Sequence, residues 1–239
     1  MDPDLNALIA EMRRAVDLDG VKRAFTLALE RYGISAFTYG GVRLPRSGSP
    51  DPVIVTTYPD TWVSHYVDRG YQQRDPVVRV GQSAFLPFSW TGLDPLGSER
   101  EVLEEGKSVG LKSGLSIPAH GALGEFALIS LASTENPAEF AACAQTYQHE
   151  LHILSMHFHA CVAELSAARG TQPAVKLTRR ETEVMTWIAH GKTTWEISEI
   201  LRISEPTVVF HCENAKKKLG AFSRSYAVAK ALSLGLLRL

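Results

Sequence analysis

Between residues 58 and 90 the chain gathers Tyr58, Trp62, Tyr66, Tyr71, Asp75 and Trp90. Tyr58, Trp62 and Tyr66 stand four apart, a spacing that stacks them on one face of a helix and of the turn leading into it. Such aromatic stripes are usually core. Asp75 in this company is harder to dismiss, because a carboxylate taken out of water needs donors, or its ionised form becomes very costly. Two readings stand open: DPVV is a turn with a surface aspartate, or Asp75 is the acceptor of a buried polar site walled by aromatics.

Other constellations point to other chemistry. Ser130, His120 and Asp75 supply the residue types for a hydrolytic triad, yet no GxSxG elbow occurs to activate the serine. The run HELHILSMHFH puts His149 and His152 on one helical face with His159 two turns on, but no carboxylate or cysteine at ligand spacing completes a metal site. A helix surface or subunit contact accounts for these histidines more simply. Cys143, Cys161 and Cys212 lack CxxC spacing and read as buried thiols. There is no glycine-rich phosphate loop, so neither cofactor nor metal is expected.

The net charge of −1 hides an asymmetry. Residues 176–239 carry 11 Lys and Arg against 6 Asp and Glu, whereas residues 1–175 carry 14 against 20. A basic module after an acidic one is the electrostatic footprint of nucleic-acid binding, because neutralising phosphates releases counterions.

Helix signals organise that module. Thr178 and Glu181 form a capping-box pattern opening a helix with Val184, Trp187 and Ile188 on one face, ended by Gly191. A second helix from about Thr193 to Leu201 puts Ile197, Ile200 and Leu201 on a buried stripe. After the turn RIS, Ser204 caps a third, Pro206 sits in its first turn, and Val208, Cys212, Ala215 and Leu219 form its apolar stripe. Val209, Glu213, Lys216 and Lys217 then face the other way, where a major groove could receive them: helix-turn-helix spacing. Lysines would hold phosphates, while Glu213 could accept from a cytosine amino group and Val209 touch a thymine methyl. A last helix, about Ser225 to Leu236, carries Val228, Ala231 and Leu232 on one side.

In the acidic half, periodicity predicts helices near 4–16 and 21–32, strands at AFTYGGV and PVIVTTY, and helices near 60–69, 76–83 and 98–109. Strands at GLSIPAH and FALISLA precede a helical region over 137–168. Helices flanking a short antiparallel sheet make an α+β fold: an N-terminal α-β-α sandwich followed by an all-α helix-turn-helix domain. The expected boundaries are 1–168, a linker over 169–176, and 177–239. No apolar run approaches the ~20 residues of a membrane span, and the start MDPDLNALIAEMRRAV reads as an acidic amphipathic segment rather than a signal peptide, which implies a cytoplasmic protein.

LTRRETEVMTWIAHGKTTWEISEILRISEPTVVFHCENAKKKLG resembles the DNA-binding domain of LuxR-type transcription regulators, with Glu181, Gly191, Lys192, Glu196, Ile197, Ser204, Thr207, Val208, Phe210, His211, Asn214, Lys218 and Leu219 on the family pattern. Pro206 and Val209 depart from it, and Glu213 stands where some members place a base-reading Arg. TYPDTWVSHYVDRGYQQRDPVV, LPFSW and GLKSGLSIPAHGALGEFALISL resemble the family's autoinducer-binding domain, nearest its LasR-like and QscR-like branch.

The resemblance implies a receptor for an N-acyl- or aryl-homoserine lactone. Trp62 would donate to the lactone carbonyl, Asp75 accept from the amide N–H, and Tyr58 and Ser130 donate to the acyl carbonyl, with Ser116 nearby. Tyr66, Trp90, Phe37, Val77 and the strand aliphatics would wall the acyl or aryl group, and Gly114 would permit close packing. The chemistry suits an amide-bearing ligand, which needs an acceptor and two or more donors on leaving water. Lys192, Thr193, Thr207, Val209, His211, Glu213, Asn214, Lys216 and Lys217 would meet double-stranded DNA. A homodimer joined partly through the last helix, and contact with RNA polymerase, are implied partners. The competing readings are a ligand-independent regulator or one sensing another signal and, from a different class, a lactone-degrading enzyme.

Overall fold

The computed structural model describes residues 4–43, 51–121, 125–133, 137–169 and 175–237. Contacts divide the chain into two compact units, one holding most of the first 170 residues and the other the C-terminal helices. The core of the expected linker, residues 170–174, lies outside the described residues.

The N-terminal unit runs α1 (Leu5–Arg13), α2 (Leu18–Glu30), β1 (Ala36–Arg43), β2 (Asp51–Thr56), α3 (Asp60–Asp68), a 3-10 turn (Tyr71–Gln73), α4 (Pro76–Gly81), β3 (Phe88–Ser89), α5 (Glu99–Ser108), β4 (Ser113–His120), β5 (Phe126–Ser133), α6 (Pro137–Thr146) and α7 (Gln148–Arg169). Asp4 and Asp17 cap the first two helices by accepting backbone N–H groups. The sheet order is β2-β1-β5-β4-β3, with β1–β5, β5–β4 and β4–β3 antiparallel.

The sheet is buried on both faces, and its two faces differ in residue size. Phe37 and Tyr39 on β1, Leu115 and Ile117 on β4, and Ile129 and Leu131 on β5 join Phe25, Leu154 and Phe158 of α2 and α7 in the larger core. Phe25 and Phe158 stack at 4.1 Å, with Phe37 edge-on to both. Successive strand side chains point to opposite faces, so the other face receives small residues in register: Ala36, Ala132 and Gly114 in one row, Thr38, Ser130 and Ser116 in the next. Over that face pack Tyr58, Trp62, Tyr71, Val102 and Leu111.

The structure corrects one sequence expectation here and refines two others. Phe37 and most of the strand aliphatics belong to the α2/α7 core, not to the wall of the aromatic site, because the two-residue strand period turns them away from it. The helical region over 137–168 is two helices, parted at Tyr147, whose ring lies 5.3 Å from Tyr32. LPFSW supplies a fifth, two-residue edge strand too short to show periodicity.

The C-terminal unit is α8 (Arg179–Ala189), α9 (Thr194–Leu201), α10 (Glu205–Leu219) and α11 (Arg224–Ser233). The capping box expected at Thr178 and Glu181 is formed, and a second one joins Thr193 to Glu196. Val208, Cys212, Ala215 and Leu219 meet Val184, Met185, Ile197, Ala227 and Ala231 in a separate core. Ile200 is 42% exposed, contrary to the expected stripe: a helix of eight residues docked along one edge buries Ile197 and Ser198 instead. Arg202, with φ of 52°, turns the chain from α9 to α10.

Candidate functional site

Asp75 is the N-cap of α4, and both of its oxygens are engaged. Oδ1 accepts the Val77 N–H at 2.8 Å, and Oδ2 accepts the Tyr66 hydroxyl at 2.7 Å. Burial pushes the carboxyl above its ordinary range, opposed by the hydrogen bonds from Tyr66 and from the backbone of Val77 and Val78. Tyr58 is buried with its hydroxyl unpartnered, and burial together with the charge of Asp75 pushes that phenol upward. A lone donor thus stands in the electrostatic reach of a buried acceptor. A ligand presenting a carbonyl beside an N–H complements both at once, which would remove the cost of an unsatisfied buried group.

Aromatic packing holds these groups in place. Trp62 and Tyr66, one turn apart on α3, have ring centres 6.0 Å apart, and Tyr71 lies edge-on to Tyr66 at 5.8 Å. Behind them the Tyr71 hydroxyl donates to Glu105 Oε2 at 2.8 Å, and the same oxygen meets His65 Nε2 at 2.6 Å. The Tyr71 and His65 contacts hold the Glu105 carboxyl below its usual value. Arg74 pairs with Glu101 at 3.0 Å, and Arg79 with Glu99 at 2.6 Å. Thus α5 ties down α3 and the 3-10 turn through Glu105, the residue after that turn through Glu101, and α4 through Glu99.

On the sheet, Ser116 and Ser130 are register partners with hydroxyls 2.8 Å apart, and the Trp90 indole N–H donates to Ser116 at 2.8 Å. Either serine can be the donor between them; when Ser116 donates, the Ser130 hydrogen is left for a ligand carbonyl. The Trp90 ring packs against Gly114, where a Cβ would stand 2.4 Å from it. Val77 is buried on α4. The structure therefore brings Tyr58, Trp62, Tyr66, Asp75 and Trp90 over the small-residue face that holds Ser116 and Ser130.

The triad types part company. His120 Nε2 bonds the Ala84 carbonyl at 2.7 Å, Ser130 bonds Ser116, and Asp75 bonds Tyr66 and Val77, so none of the three bonds another. His159 meets the Tyr39 hydroxyl at 3.1 Å. No cluster of three metal-ligating side chains occurs among the described residues.

The second candidate surface is the outer face of α9 and α10. Ser204 accepts the Thr207 N–H at 3.3 Å, and their hydroxyls meet at 2.7 Å. Val209, Glu213 and Lys217 are exposed as the stripe requires, while His211 and Asn214 are half-buried. Lys216 is not the free cation the spacing suggested. Its Nζ donates to both carboxylate oxygens of Glu213, at 2.8 and 2.9 Å, and its side chain is only 17% exposed. At the start of α9, Thr193 caps the helix and Lys192 pairs with Glu196 at 3.0 Å. Lys218 reaches across to the buried Glu181 at 2.7 Å, joining α10 to α8.

Comparison with known proteins decides what carries this pair of surfaces. Residues 17–162 match the autoinducer binding domain, and residues 175–231 match the bacterial regulatory proteins of the luxR family. The chain belongs to the LuxR family of transcription regulators. Its relatives include the transcriptional activator protein VanR of Vibrio anguillarum, 32% identical over 94% of each chain. The quorum sensing-dependent regulator RpaR of Rhodopseudomonas palustris is 34% identical over 95% of this chain and 96% of that one. Among solved structures, the Escherichia coli protein SdiA in complex with octanoyl-rac-glycerol has the same fold, with a TM-score of 0.78 at 22% identity over 100% of this chain and 99% of that one.

In this LuxR-family chain, sequence reasoning missed the supporting layer. His65 on α3 and Glu99, Glu101 and Glu105 on α5 were given no role from the sequence. A usable signal was present: Arg69, Arg74 and Arg79 recur every five residues opposite the acids of EREVLEEG.

Proposed function

We propose that this LuxR-family regulator is a quorum-sensing receptor whose domain over residues 1–168 binds an N-acyl- or aryl-homoserine lactone. A linker over 169–176 joins it to a DNA-binding domain over 177–239. The observation that carries the reading is the buried, unpartnered Tyr58 hydroxyl beside the Tyr66-held carboxylate of Asp75. The lactone amide N–H would go to Asp75, the acyl carbonyl to Tyr58 and Ser130, and the lactone carbonyl to Trp62.

Ligand would act as a folding partner. Whatever binds the native state alone stabilises it by mass action, by roughly 2.7 kcal/mol at a hundred times Kd. A homodimer so stabilised would present two α10 helices to two half-sites of promoter DNA, Lys192, Thr193 and Lys217 on phosphates and Val209 and Glu213 at base edges, and meet RNA polymerase there.

The test is thermal melting of the full-length protein against a panel of homoserine lactones with linear, branched and aryl groups. A sharp rise with one class supports the reading. A second reading, a receptor for an acylated ligand without a lactone, is favoured by the octanoyl-rac-glycerol bound to SdiA. That compound belongs in the panel, and a rise with it alone would replace lactone by acylglycerol.

A further inference from the structure

Along the strands, the small-residue face is covered on either side of the row that holds Ser116 and Ser130, toward Leu128 in one direction and toward Gly114 in the other. On β5, Ala132, Ser130 and Leu128 alternate with Leu131 and Ile129, so Leu128 looks to the same side as Ser130. A Cβ added at Gly81, the last residue of α4, would lie 2.8 Å from Leu128 Cδ1 and 3.3 Å from Phe126 Cζ. The leucine methyl and the phenyl tip therefore rest on the helix backbone itself. Further out, His120 is tethered to the Ala84 carbonyl, with the rings of Phe85 and Phe126 at 5.2 and 5.3 Å. In the other direction the Trp90 ring covers Gly114.

We infer that the Gly81–Leu128 contact is a length stop, so that this receptor takes a lactone whose apolar group is compact and rejects long linear chains. The inference rests on the lactone reading above and adds the class of acyl group. From Ser130 to Leu128 is two residues of strand, roughly 7 Å, which an extended chain covers in about five carbons beyond the carbonyl. A short or branched acyl chain, or one aromatic ring, fits that span. A longer chain must lever Leu128 off the α4 backbone, and close-packed interiors resist such displacement. Val77 at the start of α4 keeps this stretch apolar.

The experiment is melting of the full-length protein with butanoyl, hexanoyl, 3-methylbutanoyl, cinnamoyl and dodecanoyl homoserine lactones, titrated to give apparent affinities. The compact groups are expected to raise the melting temperature, with dodecanoyl at least about tenfold weaker. Leu128→Ala is expected to reverse that order by opening the stop, and Leu128→Val, which loses one methylene, serves if the alanine variant does not fold. Wild-type protein that binds dodecanoyl as tightly as hexanoyl overturns the length stop while leaving the lactone reading intact. A folded variant that keeps the wild-type chain-length order overturns it too. A folded wild-type protein that responds to no lactone removes the lactone reading, and the length stop with it.

Discussion

The Tyr66 hydroxyl donates to Asp75 Oδ2 at 2.7 Å, so that one α3 side chain holds the carboxylate capping α4. The bond leaves Tyr66 spent as a donor and Tyr58 as the phenol still unsatisfied. Asp75→Ala removes the acceptor and orphans Tyr66 as well. Ligand response is expected to weaken by more than about tenfold, since a lost partner of a buried hydrogen bond costs roughly 1–3 kcal/mol. Dose-response curves for the variant and wild type check it, and superimposable curves would remove Asp75 from the site.

Gly114→Ala should be felt through Trp90. The added methyl would stand 2.4 Å from the indole, so the ring must lift and its bond to Ser116 must stretch. Overpacking of this kind costs about 1–3 kcal/mol. Melting of the ligand-free variant should drop accordingly, with intrinsic tryptophan fluorescence changed. A variant with unaltered melting and emission would mean that Trp90 is not seated as described.

Glu213 and Lys216 neutralise each other on α10 while Lys217 is exposed, so the DNA-binding roles proposed for them predict different effects. Lys217→Ala is expected to weaken binding to every sequence and reduce the salt slope by about one. Glu213→Ala should instead free Lys216, raise the slope by about one, and alter sequence preference. Binding isotherms at several salt concentrations on specific and random duplexes distinguish the two. Identical scaling by both variants would refute the assignment.

Acid should loosen the C-terminal helices. Burial raises the Glu181 carboxyl, but Lys218 and the Thr178 N–H outweigh it and hold it below its usual value. The Thr193 N–H, Lys192 and the Thr193 hydroxyl pull Glu196 down to about 2. A carboxylate whose folded pKa is depressed contributes stability that is complete above its unfolded pKa and is lost as pH falls through the folded one. Helical melting should therefore decline from about pH 4.5 toward about pH 2, and Glu181→Gln should flatten part of the decline. A melting profile flat across that window would contradict both pairings.

Much of this architecture was legible because its signals are local. Capping residues stand next to the helices they start, and the 3.6-residue stripe of Val208, Cys212, Ala215 and Leu219 needs no partner to be seen. Ile200 was misplaced because periodicity names an apolar face without saying how far the neighbouring helices extend over it. Phe37 was misplaced because both faces of the sheet are buried, and a strand buried on both sides has no polar alternation to orient it.

From residue types and spacing alone follow the two-domain order and the helix-turn-helix register, whereas Asp75 stayed open between a surface turn and a site among tyrosines and tryptophans. Only the tertiary structure decided which phenol holds Asp75 and which is left unpaired, that Glu213 occupies Lys216, and that Leu128 meets Gly81. Each of these depends on a contact between elements distant in sequence, or on the choice among rotamers that packing makes, and spacing along a chain encodes neither.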